Sequence, residues 1–514
     1  MRTLGHDFES YQWAPSTAAV AELAGIDPVN VIRFDANVRA QPLPSSRPGT
    51  IAGALSEINT YPHGGYTELV AAIAGYNGVP PANVVLGAGA DDLIMLVARS
   101  FAGPGDTIAI ASHPTYPLYR IAAGAAGATA VTRKDPGTDV VLTFCCRPNN
   151  PTGSLDELPD VRPLVVDEAY FEYAGETAAG LIDTGVIVLR TFSKAFGLAG
   201  ARVGYALADA ATASELNRRQ SPAPVATLSA ELAVAALANP PDVASEIEER
   251  ERLALKLRSI GLEAMPSRTN FIFVRHDESR RLAEKLMVRG LMVRPVQDGI
   301  RISVRDRLDD DLLVDAIAQI LDGSPASTRY LGRRSRLVRA TAETTIRVRL
   351  DLDGPAIVRV QTGAGLYDHL MEQLAFHAGL NLTIEGTGDI ETGVHHTAED
   401  TALAFGHALD EALRDRRAIA RYGDAVVPMD DALATVAIDL AGRPFAKLEV
   451  EPDAGLVEHV LRSFANSARM CLHVTAHGRD PHHVAEAAFK AVGRALRTAG
   501  AQLESGIPST KGLL

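Results

Sequence analysis

A chain of 514 residues, 46% hydrophobic and 22% charged, carries enough apolar material for two or more packed domains. Its formal net charge of −13 excludes a predominantly basic nucleic-acid-binding surface. Three cysteines, Cys145, Cys146 and Cys471, cannot make a disulfide framework and suit a reducing cytoplasm. The opening MRTLGHDFES lacks the apolar segment of a signal peptide, and no stretch reads as a membrane span.

Along the chain, the first informative stretch is VVLGAGADDLI, residues 84–94, a strand followed by a helix opened by Gly89, Ala90 and Asp91. Amides at such a helix start can hold an anion. RPNNPTG follows at 147–153, and PLVVDEAY is an apolar strand ending at Asp167. VIVLRTFSKAFGLAGARVGY, residues 186–205, is another strand, running into Ser193 and Lys194 and then a glycine-rich turn with Arg202. Strands alternating with helices predict an α/β sheet with its site at the strand ends. A Schiff-base lysine, an acid facing a ring nitrogen and a glycine cup for phosphate are together what pyridoxal phosphate requires. Each alone is more often a surface or packing residue; the set is what points to a cofactor.

Residues 309–321, DDDLLVDAIAQIL, predict an amphipathic helix with acids at its start. DGSPASTRYLGRRSR then has the composition of a linker, placing a boundary near 322–335. The expected organisation is a first domain over 1–323, a linker over 324–333 and a second domain over 334–514.

Beyond the linker the texture changes. Ten of the 14 histidines lie from His369 onward. HHTAE at 395–399 recurs as HHVAE at 482–486, and each is preceded by an acid–histidine pair (Asp368-His369, Glu458-His459), a helical pattern and a short strand. The economical reading is two related α/β halves. Histidine and glutamate three or four residues apart share a helix face, and this donor set without thiolate suits a divalent ion of the Mn, Fe or Zn group. The order HHxxE is not the HExxH of zinc proteases. Arg421, Arg443 and Lys511 are cations suited to a phosphate.

Two resemblances follow from these motifs. YDHLMEQLAFHAGL, VHHTAED, RYGDAVVPMDDALA, DLAGRP, DPHHVAEAAFKA and IPSTKG make residues 334–514 resemble imidazoleglycerol-phosphate dehydratase. The resemblance implies a duplicated α+β fold with ribosomal protein S5 domain 2-like halves. It also implies two Mn2+ ions per site held by His369, His395, His396, Glu399, His459, His482, His483 and Glu486. Catalytic roles fall to Glu343, Glu399 and Glu486, and substrate contacts to Gln373, Arg421, Arg443, Ser509 and Lys511. The reaction removes water from imidazoleglycerol phosphate at a carbon with no carbonyl beside it, so metal ions stabilising charge on the imidazole ring are the expected catalyst.

Residues 1–323 resemble histidinol-phosphate aminotransferase, a fold-type I pyridoxal-phosphate enzyme. The resemblance implies that Lys194 binds the cofactor covalently and that Asp167 pairs with its ring nitrogen. Asn150 and Tyr170 bond the ring hydroxyl, and Tyr116 stacks on the ring. Ser193, Arg202 and the amides of Gly89, Ala90 and Asp91 hold the phosphate, and Tyr61 reaches in from a partner subunit. Tyr11, Arg294 and Arg301 contact substrate. Two departures stand out: ANVRAQPL replaces ANENPYGP, and Arg147 replaces the first residue of NPNNPTG. They leave room for a different specificity, such as aromatic transamination or phosphothreonine decarboxylation. The expected function is therefore a bifunctional enzyme of histidine biosynthesis, cytoplasmic, acting on small molecules, without nucleic-acid or membrane partners. Its expected assemblies are aminotransferase dimers and a 24-subunit dehydratase shell. A non-catalytic first domain and a metal-storage shell are the readings of other classes.

Overall fold

Apolar runs with polar punctuation become buried strands. The structure, a computed structural model, describes residues 14–26, 28–40, 55, 61, 66–132, 139–323, 333–354, 356–452 and 455–503. The chain divides into two compact units, Met1–Ala326 and Ser327–Leu514. Of the expected linker only Arg333 is among the described residues.

In the first unit the described residues form a seven-stranded sheet in the order Val84–Gly87, Gly204–Leu207, Val186–Thr191, Leu164–Asp167, Val140–Cys146, Thr107–Ile110, Thr129–Thr132. Gly204–Leu207 runs antiparallel to both neighbours, and the remaining pairs are parallel. The four central strands are almost wholly buried, as expected where helices cover both faces of a parallel sheet. Cys145 and Cys146 lie buried within it. A smaller antiparallel sheet joins Arg294–Val296, Gly299–Ser303, Phe271–Arg275 and Glu263–Ala264. The helix Arg307–Leu321 packs beside it, and its acidic start is not a solvated one. Asp309 and Asp311 are buried against Arg305, Arg252 and Lys256, at 2.9, 2.7 and 2.6 Å.

The second unit contains two four-stranded sheets. The first runs Arg334–Ala340, Thr344–Asp351, Asn381–Gly388, Val358–Gln361, and the second Tyr422–Met429, Ala432–Asp439, Cys471–His477, Phe445–Glu451. In each, a hairpin is followed by a third strand antiparallel to its neighbour and an edge strand parallel to the third. Four helices share one continuous hydrophobic core with both sheets. The helix Leu366–Ala378 of the first half packs on Pro481–Ala499 of the second, and His395–Leu413 of the first packs on Val457–Ser467 of the second.

Two glycines permit these crossings. A Cβ at Gly406 would sit 2.5 Å from the Phe464 carbonyl oxygen, and one at Gly493 would sit 2.3 Å from the Leu374 carbonyl oxygen. Alanine in a helix interior gains about 1 kcal/mol of propensity over glycine, whereas overpacking costs about 1–3 kcal/mol. Backbone oxygens cannot swing aside, so Gly493→Ala is expected to lower stability despite the better helix former. Denaturant unfolding of the metal-free chain checks this; an unchanged or raised midpoint would show that the helices can separate at no cost.

Candidate functional site

In the first unit three parallel strands end side by side. Cys146 is in register with Asp167, and Asp167 with Leu189. The chain leaving these ends delivers Asn150, Tyr170, Ser193 and Lys194 to one cavity of about 1720 Å³. That volume holds a cofactor with a substrate beside it.

Asp167 is buried there. Its Oδ2 accepts the Tyr119 hydroxyl at 2.6 Å, and its Oδ1 accepts the Ala169 N–H at 3.1 Å. Burial pushes its carboxyl up to about 6, against the pull of these donors. Lys194 Nζ lies 5.7 Å from the centre of the Tyr170 ring. Burial, and then the Arg301 cation, bring the lysine down to about 8. Tyr170 accepts a hydrogen bond from Asn37 Nδ2 at 3.0 Å. Arg301 donates to Asn150 Oδ1 at 2.7 Å and to the Asp35 carbonyl at 2.6 Å.

The helix Ala90–Phe101 begins at Gly89, with φ +87° and no side-chain cap. A Cβ on Gly89 would come within 2.7 Å of Arg202 Nη2. Arg202 donates to Asp91 Oδ2 at 3.1 Å, and the Tyr116 hydroxyl donates to Asp91 Oδ1 at 3.0 Å. The Gly89 N–H donates to the Gly87 carbonyl at 2.8 Å, but a helix start without a side-chain cap, a missing Cβ and a guanidinium fit a phosphate group. Ser193 is buried and accepts from Thr191 Oγ1 at 2.9 Å. Arg294 lines the same cavity. Tyr61 is 85% exposed in the single chain, and Tyr11 lies outside the described residues. The two departures are absorbed locally. Arg147 pairs with Glu176 at 2.8 Å, while Arg39 pairs with Glu246 at 2.5 Å and donates to the Ala195 carbonyl at 2.9 Å.

In the second unit the paired helices bring together histidines and glutamates from opposite halves. His395 Nε2 and His459 Nε2 lie 3.7 and 3.4 Å from Glu399 Oε2. His459 Nε2 is buried with no hydrogen bond. His369 Nε2 and His482 Nε2 each lie 3.1 Å from Glu486 Oε1. Two histidine nitrogens converging on one carboxylate, twice, with one nitrogen orphaned, is a donor set that fits a divalent cation.

Two adjacent imidazoles cannot easily point at one ion, and within each pair the two turn to different carboxylates. Only the first of each pair meets its glutamate. His396 turns its Nδ1 to Asp389, at 3.0 Å, with Glu343 at 3.5 Å. His483 turns its Nδ1 to Asp431, at 2.7 Å. Adjacent residues on a helix are about 100° apart, so the second imidazole faces a different neighbourhood. Lys490, absent from the sequence reading, pairs with Glu486 at 2.5 Å.

Within one chain Arg421 does not meet these sets. Arg421 is bound bidentately by Asp439, at 2.7 and 3.1 Å, and its backbone N–H bonds to the Ala499 carbonyl. That places it at the far end of the helix Pro481–Ala499 from His482, about 25 Å away at 1.5 Å per residue. Arg443 is exposed, Gln373 is partly buried on the His369 helix, and Ser509 and Lys511 lie outside the described residues.

Comparison with known proteins decides the family. Residues 29–317 match the model of aminotransferase class I and II, and residues 362–496 match that of imidazoleglycerol-phosphate dehydratase. The chain belongs to both families. Its dehydratase part is 48% identical over 201 residues to the imidazoleglycerol-phosphate dehydratase of Mycobacterium sp. (strain KMS), covering 35% of this chain and 96% of the relative. It is 48% identical over 196 residues to that of Frankia casuarinae, covering 36% of this chain and the whole of the relative. The aminotransferase part is similar to the structure of histidinol-phosphate aminotransferase from Sinorhizobium meliloti in complex with pyridoxal-5'-phosphate. The TM-score is 0.55 at 28% identity, over 61% of this chain and 96% of that one. L-threonine-O-3-phosphate decarboxylase from Porphyromonas gingivalis shares the fold, with a TM-score of 0.52 at 19% identity over 57% of this chain and all of that one. Membership of the class I and II aminotransferases implies pyridoxal phosphate. The fold is accordingly that of a fold-type I aminotransferase joined to a dehydratase domain. Among the described residues no helix is long and apolar enough to cross a membrane.

Proposed function

We propose that this chain carries out two consecutive steps of histidine biosynthesis. It dehydrates imidazoleglycerol phosphate to imidazoleacetol phosphate, then transfers an amino group from glutamate to that ketone, giving histidinol phosphate. The observation that carries the reading is the pairing of one buried Lys–Asp cavity with two His/Glu sets in separate units of one chain. The product of the second unit is the ketone that the first unit can aminate. The direct test supplies imidazoleglycerol phosphate and glutamate to the purified chain with pyridoxal phosphate and Mn2+. Histidinol phosphate is the expected product; accumulation of imidazoleacetol phosphate without amination would give the first unit another substrate or none.

Pyridoxal phosphate supplies an electron sink when bound. Asp167 holds the ring nitrogen's proton, with Tyr119 and Ala169 fixing the carboxylate. Lys194 accepts and returns protons at Nζ, which a value near 8 allows close to neutrality. Gly89, Ala90, Asp91, Ser193 and Arg202 bind the phosphate, Asn150 and Tyr170 the ring hydroxyl, and Arg294 and Arg301 the substrate's anionic groups. Tyr116 covers the ring, and Tyr61 completes the site from a second subunit.

A pH dependence follows. Capture of cofactor needs Asp167 ionised and Lys194 neutral, so its rate rises with pH from about 6 and levels above about 8. Tyr119→Phe removes a hydrogen bond to a carboxylate, worth roughly 1.5–3 kcal/mol or one to two pH units. The acid limb of cofactor affinity is expected to move upward by about that much. Cofactor absorbance titrated across pH measures it, and an unmoved limb would leave Tyr119 as packing only.

In the second unit two Mn2+ ions supply Lewis-acid stabilisation when bound. His369, His395, His396, Glu399, His459, His482, His483 and Glu486 are the proposed ligands, with Glu399 and Glu486 also catalytic. Glu343 is placed beside His396 to act on the substrate's protons, with Gln373 contacting substrate. The like order and direction of the two sheets support a duplicated origin for the halves. Arg421 and Arg443, with Ser509 and Lys511, would bind phosphate from another copy, since Arg421 is too distant within its own chain. Binding from another copy needs an oligomer, for which a closed dehydratase assembly of 24 copies with aminotransferase dimers is the proposed form; the division of the chain after Ala326 supports a domain boundary within 324–333. A cytoplasmic location is proposed with it.

A further inference from the structure

We infer that Asp389 and Asp431 are positioning residues that fix the imidazoles of His396 and His483 with Nε2 free to bind metal. The inference rests on the proposed metal reading of those histidines and deepens it.

The observation is the same contact made twice from unrelated parts of the chain. His396 and His483 are the second histidines of the two HHxxE motifs, each one turn or less into its helix. His396 Nδ1 lies 3.0 Å from Asp389 Oδ2, and His483 Nδ1 lies 2.7 Å from Asp431 Oδ1. The aspartates are not copies of one another in sequence. Asp389 stands seven residues before His396, ahead of the short 3-10 turn Ile390–Thr392. Asp431 stands 52 residues before His483, at the turn between the strands Tyr422–Met429 and Ala432–Asp439. The position corresponding to Asp431 in the first half is the turn that carries Glu343, whose carboxylate is 3.5 Å from His396 Nδ1. A motif inherited by duplication would carry its neighbours with it. Here the histidines repeat and the carboxylate is supplied from a different place, yet the same nitrogen is engaged.

Both aspartates are themselves anchored. Asp431 Oδ2 accepts the Arg479 N–H at 2.5 Å and the Asp480 N–H at 3.1 Å, which leaves Oδ1 for His483. Asp389 Oδ2 accepts the Thr392 hydroxyl at 2.8 Å. An ionised carboxylate only accepts, so each histidine must present Nδ1–H to it, and the lone pair is then confined to Nε2. His483 Nε2 lies 3.6 Å from Asp430 Oδ2, beyond hydrogen-bond distance. A carboxylate behind a ligating imidazole sets its tautomer, holds the ring plane and raises its basicity.

The experiment measures Mn2+ binding by the full-length protein, using the electron paramagnetic resonance signal of free Mn2+. The variants are Asp389→Ala, Asp389→Asn, Asp431→Ala and Asp431→Asn. Each alanine variant is expected to bind Mn2+ roughly 10–100-fold more weakly. Asp389→Asn should recover part of that loss, because one carbonyl oxygen can accept both the Thr392 hydroxyl and Nδ1–H; Asp431→Asn should recover less, because its NH2 would face the Arg479 and Asp480 N–H groups. The thermal midpoint of the metal-free protein should not change. Wild-type affinity in both alanine variants overturns the proposal. So does a loss in Asp389→Asn as complete as with alanine, which would make that aspartate a ligand, or a fall in the metal-free midpoint that accounts for the weakening. A wild-type chain that binds no Mn2+ defeats instead the metal reading beneath it, and the proposal with it.

Discussion

Lys194→Ala is expected to abolish amino transfer while dehydration continues at its original rate. Lys194 supplies the amine that the cofactor needs, and no other lysine lines the cavity among the described residues. The substitution removes a covalent anchor and a proton carrier together. Loss of a single general acid–base group costs about 10²–10⁴-fold, and loss of the nucleophile adds to it. Amination of imidazoleacetol phosphate should therefore fall to background. The dehydratase residues lie in the other compact unit, so imidazoleglycerol phosphate should still be consumed as fast. The cofactor's visible absorbance band should lose the form seen with a lysine adduct. Amination retained in this variant would remove Lys194 from its role.

Chelation is expected to give the reverse pattern. Stripping divalent cations should halt dehydration and leave amination of supplied imidazoleacetol phosphate intact, with recovery on adding Mn2+. The convergence of His395, His459 and Glu399, and of His369, His482 and Glu486, brings carboxylate and imidazole groups face to face as a cation site would need. If ligands from neighbouring copies also join these ions, size-exclusion elution should shift to smaller particles as well. Dehydration that survives full metal removal would refute the metal reading. Loss of both activities would show that the ions support the whole particle rather than one reaction.

The candidate metal and cofactor residues were legible in the sequence because their spacing is local in the chain. HHxxE on one helix, Ser193-Lys194 at a strand end and Gly89 at a helix start all depend on neighbours a few positions away. Tyr119 and Asp431 were not legible for the opposite reason. Tyr119 lies 48 residues from the aspartate it bonds, and Asp431 lies 52 residues from its histidine. Neither spacing has a periodic signature. The pairing of His369 with Glu486 spans 117 residues and depends on which helices cross. The split within each HHxxE was legible from helix geometry, since adjacent imidazoles cannot easily point at one ion; that the second of each pair turns to an aspartate was not. The burial of Asp309, Asp310 and Asp311 was not, because the cations that meet Asp309 and Asp311 come partly from the helix Ala244–Ser259.

Each His/Glu set draws on both halves of the second unit: His459 crosses to His395 and Glu399, and His369 crosses to His482 and Glu486. With ions bound on the proposed roles, each set becomes a clasp across the seam. An ion at 100 times its dissociation constant adds about 2.7 kcal/mol to the docked state, provided that it does not bind the separated halves. Metal supply then governs the cohesion of the domain as well as its chemistry. A chain nicked in the connection between the helix His395–Leu413 and the strand Tyr422–Met429 should remain joined in Mn2+ and come apart more readily in a chelator.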